Sequence, residues 1–156
     1  MEGVSVIDTD VFIIDLRYTE DEKFVDNKAF LNLPISKVTT VFNLLEVCGI
    51  MSFNLKGKDL EELYESFLEL YSLDIVMPLI PDNELAAKFM EELIGSVFSV
   101  IKRKIAFLDS LIIKTIEEYD FDYFVTWNTK HFRDKTQIEV FTPRDILREY
   151  NQSKEE

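Results

Sequence analysis

One cysteine, one histidine and four glycines in a chain of 156 residues close off several chemistries at once. A lone thiol, Cys48, forms no internal disulfide, so a reducing, cytoplasmic setting is expected. Cys48 stands among apolar neighbours and reads as core rather than as a nucleophile. His131 alone supplies neither a two-histidine ribonuclease centre nor a histidine-rich zinc site; beside Phe132 it reads as a capping or packing residue. Glycines at 3, 49, 57 and 95 are too scattered for a phosphate-cradling loop. Every long apolar run meets a charge before it reaches the length of a bilayer span, and Met1-Glu2-Gly3 lacks the basic opening of a secretory signal. No membrane association is expected. Positive charge is scarce too. Lys and Arg number 17 against 30 Asp and Glu, and the net charge of −13 argues against broad attraction to nucleic acid.

What is present fits a soluble globular chain: 47% hydrophobic and 30% charged. One domain is expected over residues 1–150, with a short acidic tail at 151–156. The few cations are clustered. Lys102-Arg103-Lys104 precede Asp109, and Lys130, Arg133 and Lys135 follow Asn128. Much of the acid lies elsewhere, at Asp59, Glu61, Glu62, Glu65 and Glu69. The cations read equally as a local basic rim or as solvated helix ends.

Apolar patterning alternates between short continuous runs and helical stripes. Val4–Ile7, Ile35–Val38, Asp74–Leu79, Tyr123–Thr126 and Ile138–Phe141 read as strands. Helices are expected at about 10–17, at about 24–30, from a Thr39 or Thr40 cap to about Met51, and after Gly57. The helix after Gly57 carries a stripe of Leu60, Leu63, Tyr64, Phe67, Leu68 and Tyr71. Another begins at an Asp82 cap, with Leu85, Ala86, Phe89, Met90, Leu93 and Ile94 facing inward. Residues 95–103 read as a connection to a helix at about 104–119, and Pro143 opens a last helix to about Tyr150. The alternation predicts a parallel sheet covered by helices on both faces.

Four polar residues interrupt these apolar segments. Asp8 ends Val4-Ser5-Val6-Ile7. Glu46 breaks the run from Val41 to Cys48. Asp109 breaks Ile105 to Ile113, and Asn128 follows Tyr123-Phe124-Val125-Thr126-Trp127. An unpaired buried carboxylate is costly, by several kcal/mol. Open α/β sheets bind ligands at the carboxyl ends of their strands, where Asp8 and Asn128 fall. Asp109 shares a helical face with Ile105, Ile112 and Ile116, and Glu46 one with Phe42 and Ile50. Each has an ordinary alternative: Asp8 as an N-cap, Glu46 paired with a lysine, Asp109 bonded to backbone, Asn128 in a turn. Together, if gathered, they make an oxygen-rich site for a hard divalent cation.

Read as motifs, these segments resemble the PIN domain of VapC-type toxins. Val6-Ile7-Asp8-Thr9-Asp10-Val11-Phe12-Ile13 resembles its opening strand and first acid. Val38-Thr39-Thr40-Val41-Phe42-Asn43-Leu44-Leu45-Glu46 resembles its second motif and Phe107-Leu108-Asp109-Ser110-Leu111-Ile112 its third. Phe124-Val125-Thr126-Trp127-Asn128-Thr129-Lys130-His131-Phe132 resembles its closing motif, which usually carries Asp but sometimes Asn where Asn128 stands. The resemblance runs from Val4 to about Leu147 and implies a three-layer α/β/α PIN-like fold with a central parallel sheet. It implies Mg²⁺- or Mn²⁺-dependent cleavage of RNA. Asp8, Asp109 and Glu46 would hold the metal, with Asn128 orienting water and Thr126 supporting the network. Lys102, Arg103, Lys104 and Lys130 are candidate phosphate contacts. An antitoxin partner is implied as well. The many Phe, Leu and Ile on its helices lead us to expect a homodimer formed through a helical face.

Two other readings compete. Ile7-Asp8-Thr9-Asp10-Val11 fits the nucleophile motif of haloacid-dehalogenase-type phosphatases, with Asp8 as nucleophile and Asp10 as acid. That family also needs a late acidic pair at a strand end, whereas Asp120 and Asp122 precede theirs. The neutral Asn128 and the net charge of −13 suit a PIN-like interaction module without catalysis. Asp10 itself is expected to bond local backbone.

Overall fold

Residues 3–154 are described by the structure, a computed structural model. The short apolar runs become its central strands: β1 Val4–Ile7, β2 Ser36–Thr40, β3 Asp74–Val76, β4 Tyr123–Val125 and β5 Glu139–Phe141. They lie in the order β3-β2-β1-β4-β5. Every pairing is parallel, with Val6 opposite both Val38 and Phe124. Parallel neighbours need crossovers, and helices supply them. These are α1 Thr9–Arg17, α2 Phe24–Leu31, α3 Val41–Met51, α4 Gly57–Tyr71, α5 Ala86–Ile101, α6 Phe107–Ile116, α7 Thr129–Phe132 and α8 Pro143–Gln152.

The period of two along each strand divides the apolar residues between two layers. Ile7 and Val125 face a core built with Val11, Phe12, Phe30, Leu44, Phe67 and Ile146 of the first four helices and α8. Val6 and Phe124 face the other, with Val100, Ile112, Ile113 and Phe132 of α5, α6 and α7. The result is the three-layer α/β/α PIN-like arrangement. All strands point the same way, so their carboxyl ends share one edge, with β1 at its centre. Among the described residues no helix is long and apolar enough to cross a membrane.

Several boundaries differ from the sequence reading. β3 stops at Val76, so Met77–Leu79 is not strand. α5 starts after Leu85 rather than at an Asp82 cap and runs through 95–101, the stretch read as a connection. Burial of Val97 and Val100 drives this continuation, with Val100 packing into the second core. α6 therefore begins at Phe107, not Lys104. The short helix α7 was not anticipated. α8 continues to Gln152, into the segment read as a tail; Glu155 and Glu156 lie outside the described residues, as do Met1 and Glu2 of the leader reading.

Two helical stripes are only partly buried. On α4, Leu63, Phe67 and Tyr71 are buried while Tyr64 and Leu68 are exposed. On α5, Met90 is 49%, Ile94 63% and Phe98 60% exposed, and Leu85 is exposed as well. The inward face assigned to α5 is thus largely an outward apolar one.

Candidate active site

The central strand ends in a carboxylate. The Asp8 N–H donates to Val125 O of β4 (3.0 Å), continuing the sheet by one residue. Its side chain accepts from the Thr9 N–H (2.8 Å) and so caps α1. Capping and a place in a functional site, posed as alternatives by the sequence, hold together here.

Asn43 fixes the orientation. It lies in the first turn of α3, fully buried, and its carboxamide donates to Asp8 Oδ1 (3.1 Å) and Thr9 Oγ1 (3.0 Å). Its own oxygen accepts from the Thr40 hydroxyl (2.6 Å) and from the Thr40 N–H (3.3 Å), and with the Asn43 N–H donating to Thr40 Oγ1 (3.2 Å) the latter forms a capping box. Thr9 Oγ1 in turn donates to Glu46 Oε2 (2.5 Å), holding the α3 glutamate against the start of α1. Neither Asn43 nor Thr9 stood out in the sequence as a site residue.

A second network fixes the other wall. Asp10 Oδ2 accepts from the Thr126 hydroxyl (3.1 Å) and the Trp127 N–H (3.0 Å), and Thr126 Oγ1 accepts from the Asn128 N–H (3.0 Å). The loop after β4 is further tied down by Trp127 Nε1, which donates to Asn27 Oδ1 (2.8 Å). Asp10 does bond backbone, as expected, but across the sheet edge rather than locally. It places a carboxylate beside the neutral Asn128 in the cavity wall.

The result is a cavity of 260 Å³ at the carboxyl edge, lined by Asp8, Thr9, Asp10, Ile13, Glu46, Ile50, Asp109, Asn128 and Phe132. All four polar residues singled out from the sequence line it. Asp109 arrives from the first turn of α6. A larger cleft, 430 Å³, follows the solvent face of α4 among Lys58 and several glutamates, where no side chains from separate elements converge.

Clustering shows in the acidities. Burial, then the charge of Asp10, and to a lesser extent that of Asp109, push Asp8 well above the usual carboxylate range, against the opposing bond from the Thr9 N–H. Burial raises Asp10 to about 6, opposed by the Thr126 hydroxyl and the Trp127 N–H. Burial also raises Glu46, with Asp109 adding to it and the Thr9 hydroxyl opposing it. A folded-state pKa above the unfolded value of 3.8 means that the folded chain binds the proton more tightly. The stability contributed by protonated Asp10 is complete below the unfolded value and is lost as pH rises through about 6. We expect the melting temperature of the metal-free protein to fall between pH 5 and 7.5, and Asp10→Asn to flatten that fall. Parallel melting-temperature profiles for the two proteins would contradict this.

The predicted basic contacts are not gathered in the same way. Arg103 Nη1 is held by Glu117 Oε1 (2.7 Å), at the opposite end of α6 from Asp109, and donates to Lys135 O. Lys102 lies 5.9 Å from the Phe98 ring centroid. Neither these two nor Lys104 lines the cavity. Lys130 is exposed on α7. Its neighbour His131, passed over as a packing residue, brings Nε2 to 3.0 Å from Asp109 Oδ2. The phosphatase reading loses its late acids: Asp122 Oδ2 accepts from the Val4 N–H (2.7 Å), at the amino end of β1.

The donor set matches a hard divalent cation in kind. Several carboxylates share one cavity, and Asp10 Oδ1 is buried without a hydrogen-bond partner. Among the described residues, however, no three acidic, histidine or cysteine side chains already stand close enough to hold an ion. A divalent ion would need these carboxylates drawn closer together.

Fold and cavity together define a PIN-like α/β protein with an acidic site on its central strand. Solved structures share that architecture. FitAB bound to an IR36 DNA fragment aligns at a TM-score of 0.61 with 19% identity, over 90% of this chain and 95% of that one. FitAcB from Neisseria gonorrhoeae gives 0.57 and 20%, over 89% and 97%. VapBC2 from Rickettsia felis, bound to a promoter DNA fragment, gives 0.57 and 16%, over 89% and 98%. At these identities the likeness establishes the fold, in agreement with the four motifs. No family model and no curated protein matches the sequence.

Proposed function

We propose that this chain is a divalent-metal-dependent endoribonuclease and the toxin of a toxin–antitoxin pair. The observation that supports this most is the convergence of Asp8, Asp10, Glu46, Asp109 and Asn128 on one cavity at the carboxyl edge. Mg²⁺ or Mn²⁺ bound there would supply a nucleophilic water at neutral pH and offset charge on the phosphate. Asp8 and Asp109 are the main ligands in this reading. Glu46, aimed by Thr9, is a further ligand or holds water. Asn128 orients water, and Asp10 contributes the charge that Asn128 lacks. Thr126 supports the wall between them, and Lys130 is the phosphate contact we retain.

A purified chain freed of any partner should cut single-stranded RNA in Mg²⁺, stop when EDTA is added, and leave DNA of the same sequence intact. Cleavage that persists in EDTA would reject the metal-dependent reading. Failure of a folded, metal-loaded chain to cut any RNA would favour an interaction module instead.

The partners follow from charge and from the α5 face. FitAB and VapBC2 are complexes solved with DNA. With a net charge of −13, this chain is poorly suited to hold DNA itself, and a basic antitoxin suits it better. An Arg or Lys of that partner would enter the acidic cavity. A homodimer fits the exposed row Met90, Ile94, Phe98. Its four-residue spacing is symmetric about Ile94, so an antiparallel crossing sets Phe98 of one copy over Met90 of the other. Ile94→Glu should convert a dimer to a monomer in sedimentation equilibrium. A wild type that is already monomeric at micromolar concentration would exclude the dimer.

A further inference from the structure

His131 is left over from this account. It is the only histidine of the chain, and α7 sets it against Asp109, a residue of the cavity wall, without lining the cavity itself. Its ring is braced edge-on against Phe132, with centroids 4.9 Å apart, and Phe132 itself lines the cavity. Nε2 is buried and lies 3.0 Å from Asp109 Oδ2. Despite that distance the approach does not form a hydrogen bond, and Nε2 has no other partner. A histidine serving Asp109 as a simple counter-ion would be expected to align its N–H with the carboxylate. This one presents its nitrogen beside the oxygen instead.

The separation has a meaning in coordination chemistry. Two neighbouring donors on one octahedral ion with bonds of about 2.1 Å stand about 3.0 Å apart. Imidazole nitrogen is a good donor for first-row transition ions and a poor one for Mg²⁺, which prefers oxygen and retained water. Resting on the metal-site reading above, we propose that His131 Nε2 is a direct metal ligand beside Asp109, and that it biases the site toward transition-metal ions such as Mn²⁺ over Mg²⁺. The nitrogen would be an addition to an otherwise all-oxygen donor set.

Mn²⁺ alone is a suitable probe, because its pulsed electron-paramagnetic-resonance spectrum registers a directly bound nitrogen. The wild-type chain loaded with Mn²⁺ should show that nitrogen coupling, and His131→Ala should lose it. In competition titrations, His131→Ala should weaken Mn²⁺ binding by roughly tenfold or more and leave Mg²⁺ binding within about twofold. A counter-ion role predicts the opposite sign: removing the histidine would free Asp109 and tighten both ions. Tightening, or a wild-type spectrum without bound nitrogen, overturns the proposal while leaving the metal site intact. Absence of Mn²⁺ binding to the wild type overturns the proposal together with the metal-site reading. The spectrum of the wild type decides the question even if the variant folds poorly.

Discussion

Asp109→Asn is expected to reduce RNA cleavage by at least roughly a thousandfold, about 4 kcal/mol of transition-state stabilisation, with the fold retained. The carboxylate reaches the cavity from the first turn of α6, and its charge is felt at both Asp8 and Glu46. Replacing it with a neutral isostere removes a ligand without opening a void. It also relieves repulsion among the metal-free carboxylates, so the melting temperature of the apo variant should equal or exceed that of the wild type. Two measurements separate these effects: turnover in Mg²⁺ and thermal unfolding in EDTA. Wild-type turnover would remove Asp109 from the catalytic set. Lost turnover accompanied by lost helical circular dichroism would show a structural effect only.

Asn43→Ala is expected to carry the largest stability cost of any substitution at this site. Asn43 bonds Asp8, Thr9 and Thr40 from a fully buried position. Truncation leaves Asp8 Oδ1 without its carboxamide donor and breaks the capping box of α3. Buried groups left unsatisfied cost about 1–3 kcal/mol each and a lost cap about 1 kcal/mol, so a total of roughly 2–4 kcal/mol is expected. Activity should fall as well, because Thr9 then loses the donor that fixes it against Glu46. Urea unfolding measures the first effect. A change below about 0.5 kcal/mol, the range of ordinary surface substitutions, would show that Asn43 is not the hub of the network.

Much of the sheet was legible because its strands are short apolar runs bounded by proline or polar residues. Asp8, Glu46, Asp109 and Asn128 were legible for a related reason, since polar side chains inside apolar segments demand a partner. Asn43, Thr9 and His131 carried no such signal. Asn43 and Thr9 look like ordinary cap residues until segments 34 and 35 residues apart are brought together. Asp10 acquires its role only through a bond 117 residues away along the chain. The end of α5 was misread because Gly95, Ser96 and Ser99 weaken the helical pattern. Burial of Val97 and Val100 overrides that local preference. Met90 and Ile94 of α5 were read as inward-facing because hydrophobic periodicity marks an apolar face without saying what covers it.

The most direct test of the metal-dependent site is anomalous diffraction from crystals grown with Mn²⁺, collected at the manganese absorption edge. The predicted result is a peak within the cavity between Asp8 and Asp109, with Glu46 drawn toward it. No peak there, or manganese bound only outside the cavity, would contradict the assignment of this acidic edge as a metal-dependent nuclease centre.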